Sequence, residues 1–194
     1  MTSDQVLERF KQAGALLEGH FLLSSGLHSP VYLQCAIALQ QTRDAMGFGG
    51  ALANSFRDHE IETVASPAIG GLVIGYEVAR QLGTRFIWTE RDNGIMTLRR
   101  GFSVRPGERV LVVEDVITTG GSTRDTINAL TVAGAEVAAA ASIIDRSGGQ
   151  ADVGVPRVSL ATLEVAAVTP DECDLCKRGE PVAKPGSRKT KLSV

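Results

Sequence analysis

The sequence predicts an α/β protein built on a doubly wound, mostly parallel sheet flanked by helices, and two observations carry that prediction. From about residue 62 onward, short apolar runs alternate with segments of helical periodicity, the rhythm of buried parallel strands joined by crossover helices. Three of those runs end abruptly in polar, glycine-rich stretches: "SPAIGG", "EDVITTGGST" and "DRSGG". Ligands of such sheets gather at the carboxyl ends of the strands, so three such ends in one chain predict a shared pocket.

The 194 residues suit a single domain with a full core. Hydrophobic residues at 43% and charged residues at 22% are those of an ordinary globular protein and exclude disorder. A net charge of −2 supplies no global positive field for nucleic acid. Basic residues cluster locally near the C-terminus, where Lys177, Arg178, Lys184, Arg188, Lys189 and Lys191 face Glu180 alone, the pattern of a solvated tail. No run of 18 apolar residues occurs, and the opening "MTSDQVLERF" is acidic and amphipathic. Neither a membrane span nor a signal peptide is expected, and the expected address is cytoplasmic.

The elements follow in order. Thr2 and Gln5 stand at capping-box spacing, and Val6, Leu7, Phe10, Ala13 and Leu17 recur at helical spacing, predicting a helix to about Glu18. "HFLLSSGLHSPVYLQCAIAL" predicts two short strands around a Ser/Gly/Pro turn. Residues 43–59 predict a second helix, whose "GFGGAL" lies inside the helical pattern and so points to close packing, not a phosphate loop. Then come the strand "TVASP", the helix "GLVIGYEVARQLG" and the strand "RFIWTE". Asn93-Gly94 is a strong two-residue turn signal, joining flanking strands into a basic hairpin that carries Arg91, Arg99 and Arg100. The strand "RVLVVED", the helix "STRDTINALTVAGA" and the strand "EVAAAASIIDR" complete the alternation.

The chemistry concentrates in "VLVVEDVITTGGST", residues 110–123. Its glycines let the backbone present consecutive N–H groups, the following helix adds its positive end, and Thr118, Thr119, Ser122 and Thr123 supply hydroxyls, so the loop can grip a phosphate. Neither the Gly-Lys-Ser/Thr ending of a Walker loop nor the GxGxxG dinucleotide fingerprint is present. Glu114 and Asp115 would repel an anion unless they faced something else on the same ligand. Vicinal sugar hydroxyls donate hydrogen bonds and satisfy that requirement. A ribose 5-phosphate fits, with its phosphate on the glycines and its 2- and 3-hydroxyls on the acidic pair.

These residues resemble the phosphoribosyl pyrophosphate (PRPP) signature of the type I phosphoribosyltransferases: four aliphatics, two acids, an aliphatic pair, then Thr-Thr-Gly-Gly-Ser-Thr. The resemblance narrows to the orotate phosphoribosyltransferases through "HFLLSSGLHSPVYLQ", "ASPAIGGLVIG", "SIIDRSGG" and the C-terminal "CDLCKRGEPVAKPGSR". It implies the type I fold, with an N-terminal hood at residues 1–42, a core at 43–168 and a C-terminal extension at 169–194. It further implies PRPP binding by Glu114, Asp115, Val116, Ile117, Thr118, Thr119, Gly120, Gly121 and Ser122, and orotate contacts from Thr118 and Arg146. Ser29, Pro30 and Tyr32 would lie near the base. An arginine fork suits the carboxylate of orotate, which supports Arg146 on chemical grounds as well.

The implied reaction moves the ribose 5-phosphate unit of PRPP onto orotate through an oxocarbenium-like transition state, with Glu114 and Asp115 stabilising the ribosyl cation. Mg²⁺ is the implied cofactor, held mainly by PRPP and water and by no direct protein ligand. The family arrangement also implies a homodimer in which the basic hairpin closes over the partner's site and Arg91 acts there. Many relatives carry lysines in that loop and at the pyrophosphate strand end, whereas no lysine occurs here between Lys11 and Lys177. The pyrophosphate charge therefore falls to Arg91, aided by Arg99 or Arg100, and to backbone N–H groups of "PAIGG".

Two alternatives stand beside this one. A purine phosphoribosyltransferase shares the chemistry, but the arginine of "SIIDRSGG" favours an acidic base. A non-catalytic regulator would keep the fold as a PRPP sensor and use the basic tail on nucleic acid. The intact acidic and glycine positions speak against it. Cys173 and Cys176 form a lone CxxC; structural zinc wants four ligands, and His20, His28 and His59 lie far away in sequence. The pair is expected to be reduced thiols or a redox-labile tail contact.

Overall fold

The computed structural model describes residues 1–23, 26–164 and 167–185. The basic tail residues Arg188, Lys189 and Lys191 lie outside the described residues, as do Ser24 and Ser25 of the expected turn. A six-stranded sheet forms the centre, with strands β3 (Thr63–Pro67), β4 (Arg85–Asp92), β5 (Ile95–Leu98), β6 (Arg109–Ile117), β7 (Glu136–Asp145) and β8 (Arg157–Thr162) in the order β5-β4-β3-β6-β7-β8. Only the β4/β5 pair is antiparallel. The doubly wound expectation holds. β3 pairs with β4 on one side and with β6 on the other, so the winding reverses between β3 and β6, and at such a reversal the strands' carboxyl ends are where ligands of these sheets bind.

Strand alternation sorts the core into two layers. Val64, Leu111, Val113, Ala139 and Ala141 face one side and pack with Phe10, Phe48, Leu52, Ile74 and Val78. These come from α1 (Ser3–Gln12), α3 (Thr42–Asn54) and α4 (Gly71–Leu82). Ala65, Val110, Val112 and Ala140 face the other side and pack with Ile127 and Leu130 of α5 (Gly121–Val132). Gly49 lies within α3 and a Cβ there would sit 2.6 Å from Glu77 Cβ on α4, so "GFGG" is a close helix contact as expected.

The capping box of Thr2 and Gln5 is present, but α1 stops at Gln12 and not near Glu18. Gly14 turns the chain with a φ of 68°, and Leu16 and Leu17 open β1 (Leu16–Leu22), which pairs with β2 (His28–Leu33) as a separate two-stranded sheet. The stretch after β2 differs from the expected strand: Cys35–Leu39 is the short helix α2. The Asn93-Gly94 hairpin is as expected, both residues taking positive φ (50° and 85°) so that the turn's twist matches the strands. Strand β8 has no counterpart in the expectations. The chain's last described part, including the 3₁₀ turn Pro170–Glu172 and the helix α6 (Asp174–Lys177), returns to the β1/β2 hairpin. Ala183 bridges Phe21 in parallel and Val168 bridges His28.

A buried network fixes the opposite end of the sheet. Glu108 accepts hydrogen bonds from Thr63 Oγ1 (2.5 Å), Arg85 Nη2 (2.7 Å) and the Arg105 backbone N–H (2.8 Å). The amino ends of β3, β4 and β6 are thereby held together, so the carboxyl ends present a fixed rim.

Candidate active site

The rim is built where β3 and β6 end side by side. β6 stays apolar and buried through Val113, then presents Glu114, buried, and Asp115, partly exposed. The turn after β3 lies directly against that pair, and its Ala68–Ile69 peptide is cis. A Cβ on Gly70 would stand 2.8 Å from Asp115 Oδ1, and one on Gly71 would stand 2.9 Å from the Val113 carbonyl oxygen. Two strand ends that the sequence separates by more than forty residues thus form one surface, and the glycines are what let them approach.

Beyond β6, Thr118 and Thr119 are exposed and Gly120 takes a φ of 75° at the N-cap of α5. A side chain at 120 would also stand 2.9 Å from Val153 Cγ1. No side chain among the described residues caps α5 there. Its first-turn N–H groups and its positive end therefore face the loop, the physical requirement for an anion site.

The two carboxylates differ in electrostatics. Burial first, and the neighbouring Asp115 second, push the Glu114 carboxyl up to about 9, and its Oε1 accepts only a long hydrogen bond from the Asp115 N–H (3.2 Å). Asp115 Oδ1 accepts from the Val116 N–H at 2.8 Å.

Arg146 joins the same rim, because its backbone N–H donates to the Ile117 carbonyl at 2.7 Å, tying the end of β7 to the end of β6. Burial lowers its pKa, yet a guanidinium remains charged at neutral pH. Its Nε is buried and has no hydrogen-bond partner among the described residues. Tyr32 and Cys35 stand near it, so β2 and α2 bring the hood to this side of the rim. The Tyr32 hydroxyl donates to Gln34 Oε1 (2.8 Å), and buried Ser29 donates to the Val31 carbonyl (2.8 Å).

The hairpin arginines stand elsewhere. Arg91 bonds Asp125 Oδ2 on α5 (2.7 Å) and the Gly94 carbonyl (2.9 Å), not the acidic pair. Arg100 pairs with Glu90 through Nε (2.7 Å) and Nη2 (3.1 Å). That pair, with the Trp88 indole N–H, holds the Glu90 carboxyl down at about 2. Arg99 is exposed and makes no ion pair among the described residues.

Two contributors to the rim have no signal in the sequence. Cys35 is buried between the acidic pair and Arg146, and burial, then the charges of Asp115 and Glu114, raise its thiol well above the ordinary range. Arg157 on β8 bonds Asp145 Oδ2 at 2.6 Å, while Ser147 donates to Asp145 Oδ1 through its N–H (2.7 Å) and hydroxyl (2.6 Å). Burial works against the Asp145 carboxylate, but those donors outweigh it and hold the carboxyl below its ordinary value. Asp145 and Arg157 therefore fix the loop on which Arg146 stands.

A mostly parallel sheet with an acidic pair and an uncapped helix start at its switch point has the groups needed to hold a phosphorylated sugar. The family model described as "Phosphoribosyl transferase domain" matches residues 39–170, the stretch that contains the acidic pair, the loop after β6 and Arg146. The orotate phosphoribosyltransferase of Caldicellulosiruptor bescii is 53% identical over 97% of this chain and 100% of its own length. The chain belongs to the phosphoribosyl transferase domain family and, within it, to the orotate phosphoribosyltransferases. Among solved structures, an orotate phosphoribosyltransferase from Aeropyrum pernix is similar with a TM-score of 0.67 at 29% identity, covering 82% of this chain and 94% of that one. An adenine phosphoribosyltransferase from Rhodothermus marinus has a TM-score of 0.65 at 24% identity, covering 82% and 99%, which shows the fold alone. The fold is thus common to enzymes of different bases, and the choice of base rests on the sequence relatives and on the rim's own side chains.

Proposed function

We propose that this chain transfers the 5-phosphoribosyl group of PRPP to a ring nitrogen of orotate, releasing pyrophosphate and forming orotidine 5′-monophosphate in UMP synthesis. The single observation that carries the choice of base is Arg146: a charged side chain on the rim whose buried Nε–H has no partner among the described residues. An unpaired buried donor costs about 1–3 kcal/mol, which a ligand carboxylate accepting a charge-assisted bond recovers. Adenine and hypoxanthine carry no such group. Thr118, exposed just after β6, would contact both substrates.

The 5-phosphate sits on residues 118–122 and the first N–H groups of α5. Glu114 and Asp115 accept hydrogen bonds from the ribose 2- and 3-hydroxyls. Because burial keeps Glu114 protonated in the free chain, PRPP meets one negative charge fewer on arrival than the residue types suggest. As pyrophosphate departs, positive charge grows on the ribose ring, and the negative charge of the acidic pair beside it lowers the energy of that cation. The pair thereby stabilises the transition state more than the ground state. No covalent nucleophile is needed.

The rim also fits Mg²⁺. Its donors are hard carboxylate oxygens, and Asp115, the partly exposed one, would hold the water shell of an ion carried chiefly by PRPP oxygens. When bound, such an ion offsets the charge of the departing pyrophosphate. The remaining pyrophosphate charge falls to "PAIGG" N–H groups and to Arg91 from the hairpin of a partner subunit in a homodimer. Residues 1–42 serve as the base-side hood, 43–168 as the core and 169–194 as an extension of one domain. The chain's few thiols suit a reducing, cytoplasmic setting.

The test follows the loss of orotate absorbance with PRPP and Mg²⁺, with adenine and hypoxanthine assayed in parallel. Orotate-dependent turnover that chelation abolishes is expected. Turnover with a purine and none with orotate would overturn the assignment.

A further inference from the structure

We infer that His20, His28, Cys173 and Cys176 form a structural zinc site that fastens the C-terminal extension to the hood. The expectation from sequence spacing, a lone CxxC short of ligands, is overturned by the fold. His20 and His28 stand on the two strands of the β1/β2 hairpin, where Leu22 is opposite His28. Cys173 precedes α6, whose helical turn carries Cys176 back beside it. All four residues place one ligand atom within 4.8 Å of every other, and three of the four are buried.

The separations fit a tetrahedron. Zinc bonds of about 2.3 Å to sulfur and about 2.0–2.1 Å to nitrogen set sulfur and nitrogen about 3.5 Å apart, and two nitrogens about 3.3 Å apart. His20 Nε2 is 3.5 Å from Cys173 Sγ and 3.6 Å from Cys176 Sγ, and Cys176 Sγ is 3.2 Å from His28 Nδ1. The two ring nitrogens, 2.7 Å apart, need to part by about half an ångström to admit the ion.

The surrounding contacts agree. His20 Nδ1 lies 2.8 Å from the Glu180 carbonyl oxygen, which can only accept, so Nδ1 carries the proton and Nε2 turns its lone pair into the cluster. That is how a metal-binding imidazole is oriented. Two thiols and two imidazoles select a soft or borderline ion over Mg²⁺ or Ca²⁺, and four protein ligands leave no open position for catalysis. Binding displaces one proton from each thiol, and the two thiolates balance the charge of Zn²⁺, so a neutral centre is buried. The clip joins residues 148 positions apart along the chain, His28 and Cys176. It reinforces the backbone bonds between Leu22 and Ala183 and between His28 and Val168, and it lies one residue from Ser29 on the hood.

The test uses the full chain, with any affinity tag removed, expressed with zinc in the medium. Elemental analysis should find stoichiometric zinc that Cys176→Ser and His20→Ala lose and His59→Ala keeps. Chelation should expose Cys173 and Cys176 to a thiol reagent and speed proteolysis of the C-terminal segment. Since a variant could fail to fold, wild-type protein stripped of metal is titrated with Co²⁺. The visible bands of tetrahedral cobalt with thiolate charge transfer are expected. A protein that takes up neither ion stoichiometrically, or that is isolated with a Cys173–Cys176 disulfide and no metal, overturns the proposal.

Discussion

Asp115 and Glu114 are neighbours in the chain but stand in different surroundings, and each makes its own prediction. Asp115 is the partly exposed carboxylate, held by the Val116 N–H and closely backed by Gly70. Asp115→Asn keeps that shape and removes the charge, so kcat should fall by roughly tenfold or more with the circular dichroism unchanged. Equal turnover would remove its ribose role. Glu114 links to stability through pH. Its carboxyl titrates near 4.5 when unfolded and is pushed up to about 9 when folded, so the folded state holds the extra proton between those values. Stability of the ligand-free chain therefore falls as pH rises through that window. Glu114→Gln should melt like wild type near pH 4 and several degrees higher near pH 9, measured by calorimetry without PRPP. An unchanged pH slope in the variant would exclude Glu114 as its source. This pair was legible in the sequence because its partners, the glycines and hydroxyls, follow within a few residues. Cys35 was not, since nothing in "YLQCAIAL" shows that the fold will set a thiol between Asp115 and Arg146.

Strands buried on both faces announce themselves as apolar runs, and β3, β6 and β7 were legible for that reason, whereas β4, in which only Ile87 and Thr89 are buried, was legible from the short run Phe86 to Trp88 and its place in the alternation. Strand β8, "RVSLAT", has one buried residue, Ala161, and the mixed pattern of an edge, which periodicity alone does not separate from loop. The overlong α1 has a matching cause: Leu17 continues the helical spacing by coincidence, while Gly14 in the left-handed region has already ended the helix. What β8 contributes to the site is Arg157. Its guanidinium holds Asp145, which in turn holds the loop bearing Arg146. Arg157→Ala should raise the KM for orotate several-fold while leaving the KM for PRPP close to wild type, and Arg157→Lys should recover part of the loss. Parallel rises in both constants would instead point to general loss of the sheet edge.

At the scale of the whole molecule, the anion-binding groups are unevenly distributed. The rim holds backbone N–H groups, hydroxyls and Arg146, no lysine lies between Lys11 and Lys177, and the other cations suited to pyrophosphate stand on the hairpin at the sheet's edge. Arg91 pairs there with Asp125, each about half exposed (45% and 44%). A pair so exposed is worth about 0–1 kcal/mol, little enough to be exchanged for a pyrophosphate oxygen. Sharing the hairpin across a two-fold axis would give each site its missing cation from the neighbouring chain, so in a mixed dimer a hairpin defect in one chain and an acidic-pair defect in the other would fall in the same site. Arg91→Ala and Asp115→Asn should each be nearly inactive alone. Mixed and allowed to exchange subunits, they should regain activity, because a heterodimer contains one site with both its acidic pair and its arginine intact. Dimers that exchange, as mass measurement would show, yet stay inactive would place Arg91 in the site of its own chain.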